Sequence, residues 1–185
     1  MRYIILNHSS PHLHLEDSAS RESITLRMPG AEDGPRVTRL VASSPPLDTN
    51  SAYCNLLQCT DFRETCVLAE RGRELVGWIS AYRPPVSPDH LFIWQVAVHS
   101  AARGEGLALT MLDALLARPA AAGATTLTTT ITPDNAASWA LFQAFARRIG
   151  ATLTRAPRFE QEAHFAGAHL TEWEARVFPL PAPSN

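Results

Sequence analysis

Apolar residues recur along this 185-residue chain in two rhythms. The segment "SITLRMP" (Ser23 to Pro29) alternates with the two-residue period of a strand. "TCVLAE" and "ELVGWISAY" repeat that rhythm on either side of "RGR", where a turn at Gly72 makes them an antiparallel hairpin. "LFIWQVAV" is apolar almost throughout, as a strand at the centre of a sheet must be. "GATTLTTTIT" owes its β character to branched side chains, and "LTEWEARVF" (Leu170 to Phe178) alternates again. Helical spacing governs Gly34 to Ala42, "AYCNLLQCTDF" behind the capping run Asp48 to Ser51, and "GLALTMLDALLA". It also governs "PDNAASWALFQAFARRIG", which Pro133 and Asp134 open and Gly150 ends. The predicted order is one strand, helices, three strands, helix, strand, helix, strand, with no repeat and no linker. That is an α/β domain over residues 23–178, a mixed sheet with helices on its faces, between a flexible tail at 1–22 and a C-terminal tail at 179–185.

Composition narrows the partners. A formal net charge of -2 gives no electrostatic reason to expect nucleic acid or an anionic membrane. No apolar run approaches the ~20 residues of a membrane helix, and the N-terminus lacks the core of a signal peptide. The expectation is a soluble, cytoplasmic protein. Cys54, Cys59 and Cys66 are odd in number and lack a CxxC spacing, so they read as reduced and partly buried. His8, His12 and His14 have the chemistry of metal ligands but lie in a segment without periodicity, which reads as a frayed tail. No metal is expected.

The junction after "LFIWQVAVH" carries candidate chemistry. Arg103, Gly104, Glu105, Gly106, Leu107 and Ala108 follow a strand and open a helix, where free backbone N–H groups and glycine make a cradle for an anion. No Gly-Lys-Ser/Thr is present, which excludes a P-loop. Leu109 stands where a dinucleotide fingerprint needs a small residue, and no acidic residue closes the next strand. What remains, Arg103-x-x-Gly106-x-Ala108, resembles the acyl-coenzyme A pyrophosphate loop of the GNAT acetyltransferase superfamily. The resemblance runs from Ile24 to Phe178. It implies the GNAT (acyl-CoA N-acyltransferase) fold, with a mixed, mostly antiparallel central sheet and helices on both faces, and acetyl-CoA as co-substrate. It further implies that Gln95, Val96, Ala97 and Val98 pair with the pantetheine amides as an added strand does. Asn135 would reach pantetheine or the acetyl-bearing arm, unless it only caps its helix.

"PLDTNSAYCNLLQCTDFRETCVLAE", "VGWISAYRPPVSPDHLFIWQVAV", "TTTITPDNAASWALF" and, more loosely, "HLTEWEARVF" resemble one GNAT family in detail: the L-2,4-diaminobutyrate acetyltransferases of ectoine biosynthesis. That resemblance implies a small-molecule diamine substrate, a homodimer, and Asp48, Tyr53, Trp94, His169 and Glu172 as pocket residues. Plainer readings stand beside these. Asp48 and Tyr53 also suit the start and packing of a helix, Trp94 suits a sheet core, and His169 and Glu172 suit an exposed edge. The implied reaction is direct attack of a neutral amine on the thioester, since no Cys or Ser nucleophile signature is present. An N–H of Val96 or Val98 would receive the developing charge on the thioester oxygen. Glu172, His169 or a chain of waters would take the ammonium proton. Phe142 occupies the place where many GNAT enzymes carry a Tyr that protonates the leaving thiolate, and it has no proton to give. Two rivals remain open: a GNAT enzyme for another small amine, and a non-catalytic acyl-CoA-binding module.

Overall fold

A computed structural model describes residues 23–181. The expected tail at 1–22, with its three histidines, lies outside the described residues, as do residues 182–185. Strand β1 (Ile24–Arg27) is followed by helices α1 (Gly34–Ala42) and α2 (Ala52–Thr60). Strands β2 (Val67–Arg71), β3 (Glu74–Tyr82) and β4 (His90–Val98) come next. Helix α3 (Leu107–Leu116), strand β5 (Thr126–Ile131) and helix α4 (Ala136–Ile149) lead to β6 (Thr152–Phe159), α5 (Gln161–Phe165) and β7 (Glu172–Phe178). The strands form one sheet in the order β1-β2-β3-β4-β5-β7-β6, antiparallel except where β4 meets β5.

Strand alternation sorts the side chains into two cores. Leu68 and Trp78 point to one face, where Val37, Leu40, Val41 and Cys59 of α1 and α2 cover them. Ala69, Ile79, Leu127, Ala175 and Val177 point to the other, under Met111 and Leu115 of α3 and Phe142 and Phe145 of α4. Gly77 lets α3 sit this close. A Cβ there would lie 2.7 Å from the Met111 sulfur and 3.0 Å from the Ala69 Cβ, so any side chain would force the packed side chains beneath α3 to shift.

Two features depart from the sequence reading. Strand β6 was not expected, because its side chains are mostly exposed and its two arginines and Pro157 give no apolar alternation. It is an edge strand, where proline costs no central ladder bond. Arg155 fastens it, with its guanidinium 6.0 Å from the Trp139 ring and 5.8 Å from that of Trp173. The domain also extends past 178. Leu180 is buried against the core and its N–H donates to the Thr125 carbonyl at 2.8 Å, so the expected tail at 179–185 starts too early.

The sheet splits in the middle. Strand β4 pairs with β5 only over His90 to Phe92 against Thr126 to Thr128. Beyond that the two strands diverge, and β5 continues beside β7. The gap opens directly above the start of α3.

Candidate active site

The gap holds a cleft of about 410 Å³. Val96, Ala97 and Val98 form one wall, Asn135, Ser138 and Leu141 of α4 the other, and Arg103 to Leu109 the floor, while Ser44 to Leu47 close the side. Gly104 (φ +80°) and Gly106 (φ +76°) adopt left-handed backbone that glycine alone takes without cost. This turn leaves the amides of Gly104 to Leu109 with no backbone acceptor among the described residues; the first helical bond of α3 is Thr110 N–H to the Gly106 carbonyl at 3.1 Å. Six unpaired donors beside a helix N-terminus fit a pyrophosphate. The side chains of the loop are occupied elsewhere: Arg103 Nε donates to the Val98 carbonyl at 3.1 Å, and Glu105 pairs with Arg71 at 2.5 Å.

Pairing decides which groups of β4 face the cleft. Ala97 stands opposite Trp78 and Gln95 opposite Ser80, and the His99 N–H donates to the Val76 carbonyl at 2.9 Å. Since antiparallel partners alternate, residues 95, 97 and 99 spend their backbone groups on β3, and those of Val96 and Val98 turn outward. The arginine bond to the Val98 carbonyl agrees with this direction. Of the four residues expected to line pantetheine, Val96 and Val98 therefore offer backbone groups and Ala97 contributes wall. Gln95 does neither. Its buried side chain donates to the Asp48 carbonyl at 2.7 Å and accepts from Asn50 Nδ2 at 2.8 Å. Asn50 donates also to Asn55 (3.1 Å), and Asn55 to Thr38 (3.0 Å), so a ladder of amides ties the loop of Asp48 to α1, α2 and β4. Sequence reasoning missed Asn50 and Asn55, which no local motif distinguishes from helix-capping residues.

Asn135 caps α4, its Oδ1 accepting from the Ser138 N–H at 3.1 Å, while it also borders the cleft. Trp94 is the extra residue of a β4 bulge between the pairs Ser80–Gln95 and Ala81–Ile93. The bulge turns its indole out of the core to 43% exposure, edge-on to Tyr82 at 6.0 Å.

Asp48, His169 and Glu172 converge beside the end of β5. His169 Nε2 lies 3.5 Å from Asp48 Oδ2 and 3.9 Å from Glu172 Oε1. Exposure falls from 80% at Asp48 through 31% at His169 to 18% at Glu172, so the carboxylates reach from solvent to interior. His169 Nδ1 donates to the Leu170 carbonyl at 2.7 Å. A neutral ring would then point a lone pair at two carboxylates, whereas the cation points an N–H. The Leu170 carbonyl first, and then Asp48 and Glu172, raise the His169 pKa accordingly. Glu172 Oε2 is buried and has no hydrogen-bond partner among the described residues. Burial pushes its pKa up, nearby Asp48 and Asp134 add to this, and Thr130 and His169 pull it back. Asp134 and Thr130 were not foreseen as neighbours, since strand ends far apart in sequence bring them here.

Tyr53 is not part of this cluster. It stands 69% exposed on α2, beside an apolar hollow of about 680 Å³ that it shares with Ala31, Pro35 and Leu56. Phe142 lies in the core at 2% exposure, and Leu141 and Ser138 face the cleft from that helix. Burial pushes the thiols of Cys59 and Cys66 up to about 11 and about 12, far from a reactive thiolate. Among the described residues no His, Cys, Asp and Glu group has the arrangement of a metal site, and no helix is long and apolar enough to cross a membrane.

Comparison with known proteins agrees with this geometry. The profile of the Acetyltransferase (GNAT) family matches residues 36–146. The L-2,4-diaminobutyric acid acetyltransferase of Methylotuvimicrobium alcaliphilum is 50% identical over 91% of this chain and 98% of its own length. That of Bordetella parapertussis is 40% identical over the full length of both. A diaminobutyrate acetyltransferase from Paenibacillus lautus, solved with its substrate L-2,4-diaminobutyric acid and coenzyme A, is 36% identical and superposes with a TM-score of 0.83. That match covers 89% of this chain and 99% of the other.

Proposed function

Because this chain belongs to the acetyltransferase (GNAT) family and, within it, to the L-2,4-diaminobutyric acid acetyltransferases, we propose that it transfers an acetyl group from acetyl-CoA to the 4-amino group of L-2,4-diaminobutyrate. One observation carries the assignment of the amine site: a buried carboxylate oxygen of Glu172, clustered with His169 and Asp48, has no hydrogen-bond partner among the described residues. An ammonium is the partner that oxygen lacks.

The residues fit acetyl-CoA, which supplies an acetyl group activated as a thioester. The free amides of Gly104 to Leu109 hold its pyrophosphate, and the outward backbone groups of Val96 and Val98 receive its pantetheine. An outward N–H of that edge, of Val96 or Val98, would receive the charge that develops on the thioester oxygen during attack. Asp48 and Glu172 hold the amine substrate, whose two ammonium groups balance an acidic cluster that has His169 as its cation. Glu172 accepts the proton from the 4-ammonium. The freed nitrogen lone pair forms the bond to the acetyl carbon, the carbon–sulfur pair leaves with the thiolate, and the proton that the new amide nitrogen sheds passes, directly or through water, to that thiolate. A carboxylate with raised pKa suits that role better than an ordinary one, because its basicity is closer to that of the amine. His169, whose pKa the Leu170 carbonyl and the two carboxylates raise, orients those carboxylates rather than serving as the base. The buried cysteines support direct attack without an acetyl-enzyme. The apolar hollow beside Tyr53 and Leu56 suits the contact surface of a homodimer, and the three free cysteines suit the cytoplasm. Light scattering of the purified protein reads the dimer mass directly.

The test of the activity is an end-point assay with acetyl-CoA and L-2,4-diaminobutyrate, ornithine, lysine and spermidine, the products identified by mass and NMR. The expected product is 4-N-acetyl-diaminobutyrate, formed selectively. Acetyl-CoA binding with no product from any amine would instead make the chain a cofactor-binding module.

A further inference from the structure

On the α1–α2 side of the sheet, His164 and Phe165 of α5 stack on Phe159 at one end of the half formed by β5, β7 and β6, and the outward residues of that half follow from the register. Phe92 stands opposite Thr128 and Thr128 opposite Arg176, so these share a face with Thr130, Glu174 and Glu172 two residues on. Arg158, at the irregularity of β6 between Pro157 and Phe159, reaches across this face. Its guanidinium lies 5.1 Å from the centre of the Phe92 ring and 5.2 Å from that of Phe159, and its Nη1 is 3.2 Å from Glu174 Oε2. Arg176 Nη2 lies 2.9 Å from the other oxygen of the same Glu174. One carboxylate is thus shared by two guanidiniums, and this end of the bowl keeps an excess of positive charge.

The other end has the opposite sign. Glu172, Asp48 and Asp134 outnumber the single cation His169. Glu172 and Glu174 are two residues apart on one strand face, roughly 7 Å. An extended diaminobutyrate places its carboxylate carbon about 5 Å from its 4-nitrogen, four bonds of ~1.5 Å apart. A molecule whose amine rests on Glu172 is long enough to bring its carboxylate toward Arg158. The guanidinium is partly exposed, flanked by two rings that limit its hydration, and bonded to Glu174 through Nη1.

We propose that Arg158 is the residue that binds the carboxylate of the amine substrate and so selects an amino acid over a simple diamine. This rests on the functional reading above, which gives the substrate a carboxylate at all. Neither the sequence motifs nor the family pocket positions assigned a role to Arg158.

The test compares L-2,4-diaminobutyrate with 1,3-diaminopropane, the same molecule without its carboxylate, in the wild-type protein and in Arg158→Met and Arg158→Lys. A charge-assisted bond contributes about 1.5–3 kcal/mol, or roughly 10- to 150-fold. In Arg158→Met the preference for diaminobutyrate is expected to fall by about that factor through a higher KM. Turnover of diaminopropane should stay within about 3-fold of wild type, and the KM for acetyl-CoA should not move. Arg158→Lys should recover part of the preference. The ratio is taken within one preparation, so partial misfolding cannot imitate it. An unchanged ratio in both variants overturns the proposal for Arg158 and leaves the activity standing. Wild-type protein that acetylates no diaminobutyrate overturns the functional reading instead; calorimetric binding of the two ligands to the same variants then decides Arg158 by itself.

Discussion

Two clusters of carboxylates and cations flank the α1–α2 side of this protein, and they are built to opposite rules. In the first, Arg27, Asp33, Arg36 and Glu70 join β1, α1 and β2. Arg27 forks onto Asp33 with two bonds of 2.7 Å and onto Glu70 at 2.8 and 2.9 Å, while Arg36 reaches Glu70 at 2.6 Å. Asp33 also accepts from the Gly30 N–H at 2.9 Å, so a side chain 1% exposed has all its lone pairs engaged. In the second, His169 Nε2 stands 3.5 Å from Asp48 and 3.9 Å from Glu172, longer contacts than any in the first, and one buried oxygen of Glu172 has no hydrogen-bond partner among the described residues. Similar chemistry gives a closed knot in one place and an open socket in the other. A fold that can satisfy its buried charges does so where nothing has to bind.

The sharpest way to break the comparison is to change the open cluster. Glu172→Gln is expected to lower kcat by about 10²- to 10⁴-fold, the usual worth of a positioned base. Stability should not fall with it. The Glu172 pKa is raised in the fold, so its contribution to stability is present at low pH and is lost as pH rises through the folded value. At neutral pH the buried charge opposes folding, and the neutral amide should give a Tm at or above wild type. The pH profile of kcat/KM carries the same sign: activity falls on acidification through a midpoint above the usual carboxylate range, and Glu172→Gln removes that limb. A variant that loses activity and stability together would make Glu172 a member of a closed knot after all.

The mirror-image change is Asp33→Asn. Removing one partner of a buried pair leaves the others unpaired and costs about 3–5 kcal/mol, which lowers Tm by roughly 10 °C in a chain of this size. The folded fraction should keep its kcat and KM. The sign of the pH effect reverses as well. Bonds from Arg27 first, then other groups, hold the Asp33 and Glu70 pKa values down. Their stabilisation is present above the ordinary carboxylate range and disappears as pH falls through the lower folded values. Thermal melts from neutral to acidic pH should therefore converge for wild type and Asp33→Asn.

The same contrast explains what could be read from the sequence. Elements with one apolar face announced themselves: α1 spans Gly34–Ala42 as expected, the hairpin about Gly72 falls where its turn puts it, and α4 ends at Gly150 as expected, though Asn135 rather than Pro133 and Asp134 opens it. Strand β6 did not, because an edge strand faces solvent and its sequence needs no alternation. The glycine turn that opens α3 was legible because glycine and a strand–helix junction are local signals. Which β4 groups face the cleft was not, since a bulge at Trp94 and the divergence from β5 are decided by pairing. Arg158 and the amide ladder of Asn50 and Asn55 were invisible for a related reason: Glu174, Thr38 and Gln95, to which they bond, are 16, 17 and 45 residues away.

Gln95 offers the smallest and finest test of where open cluster and cofactor cleft meet. The sequence put it against pantetheine; the structure turns its backbone toward β3 and gives its side chain to the Asp48 loop. Gln95→Leu keeps the bulk but orphans the Asp48 carbonyl and one donor of Asn50, at a cost of about 1–3 kcal/mol in stability. The loop then holds Asp48 less firmly, so the KM for diaminobutyrate should rise about 3- to 10-fold with kcat within 2-fold of wild type. The KM for acetyl-CoA should stay where it is. If that constant rises instead, Gln95 belongs to the cleft, and the loop of Asp48 is held by Asn50 and Asn55 without it.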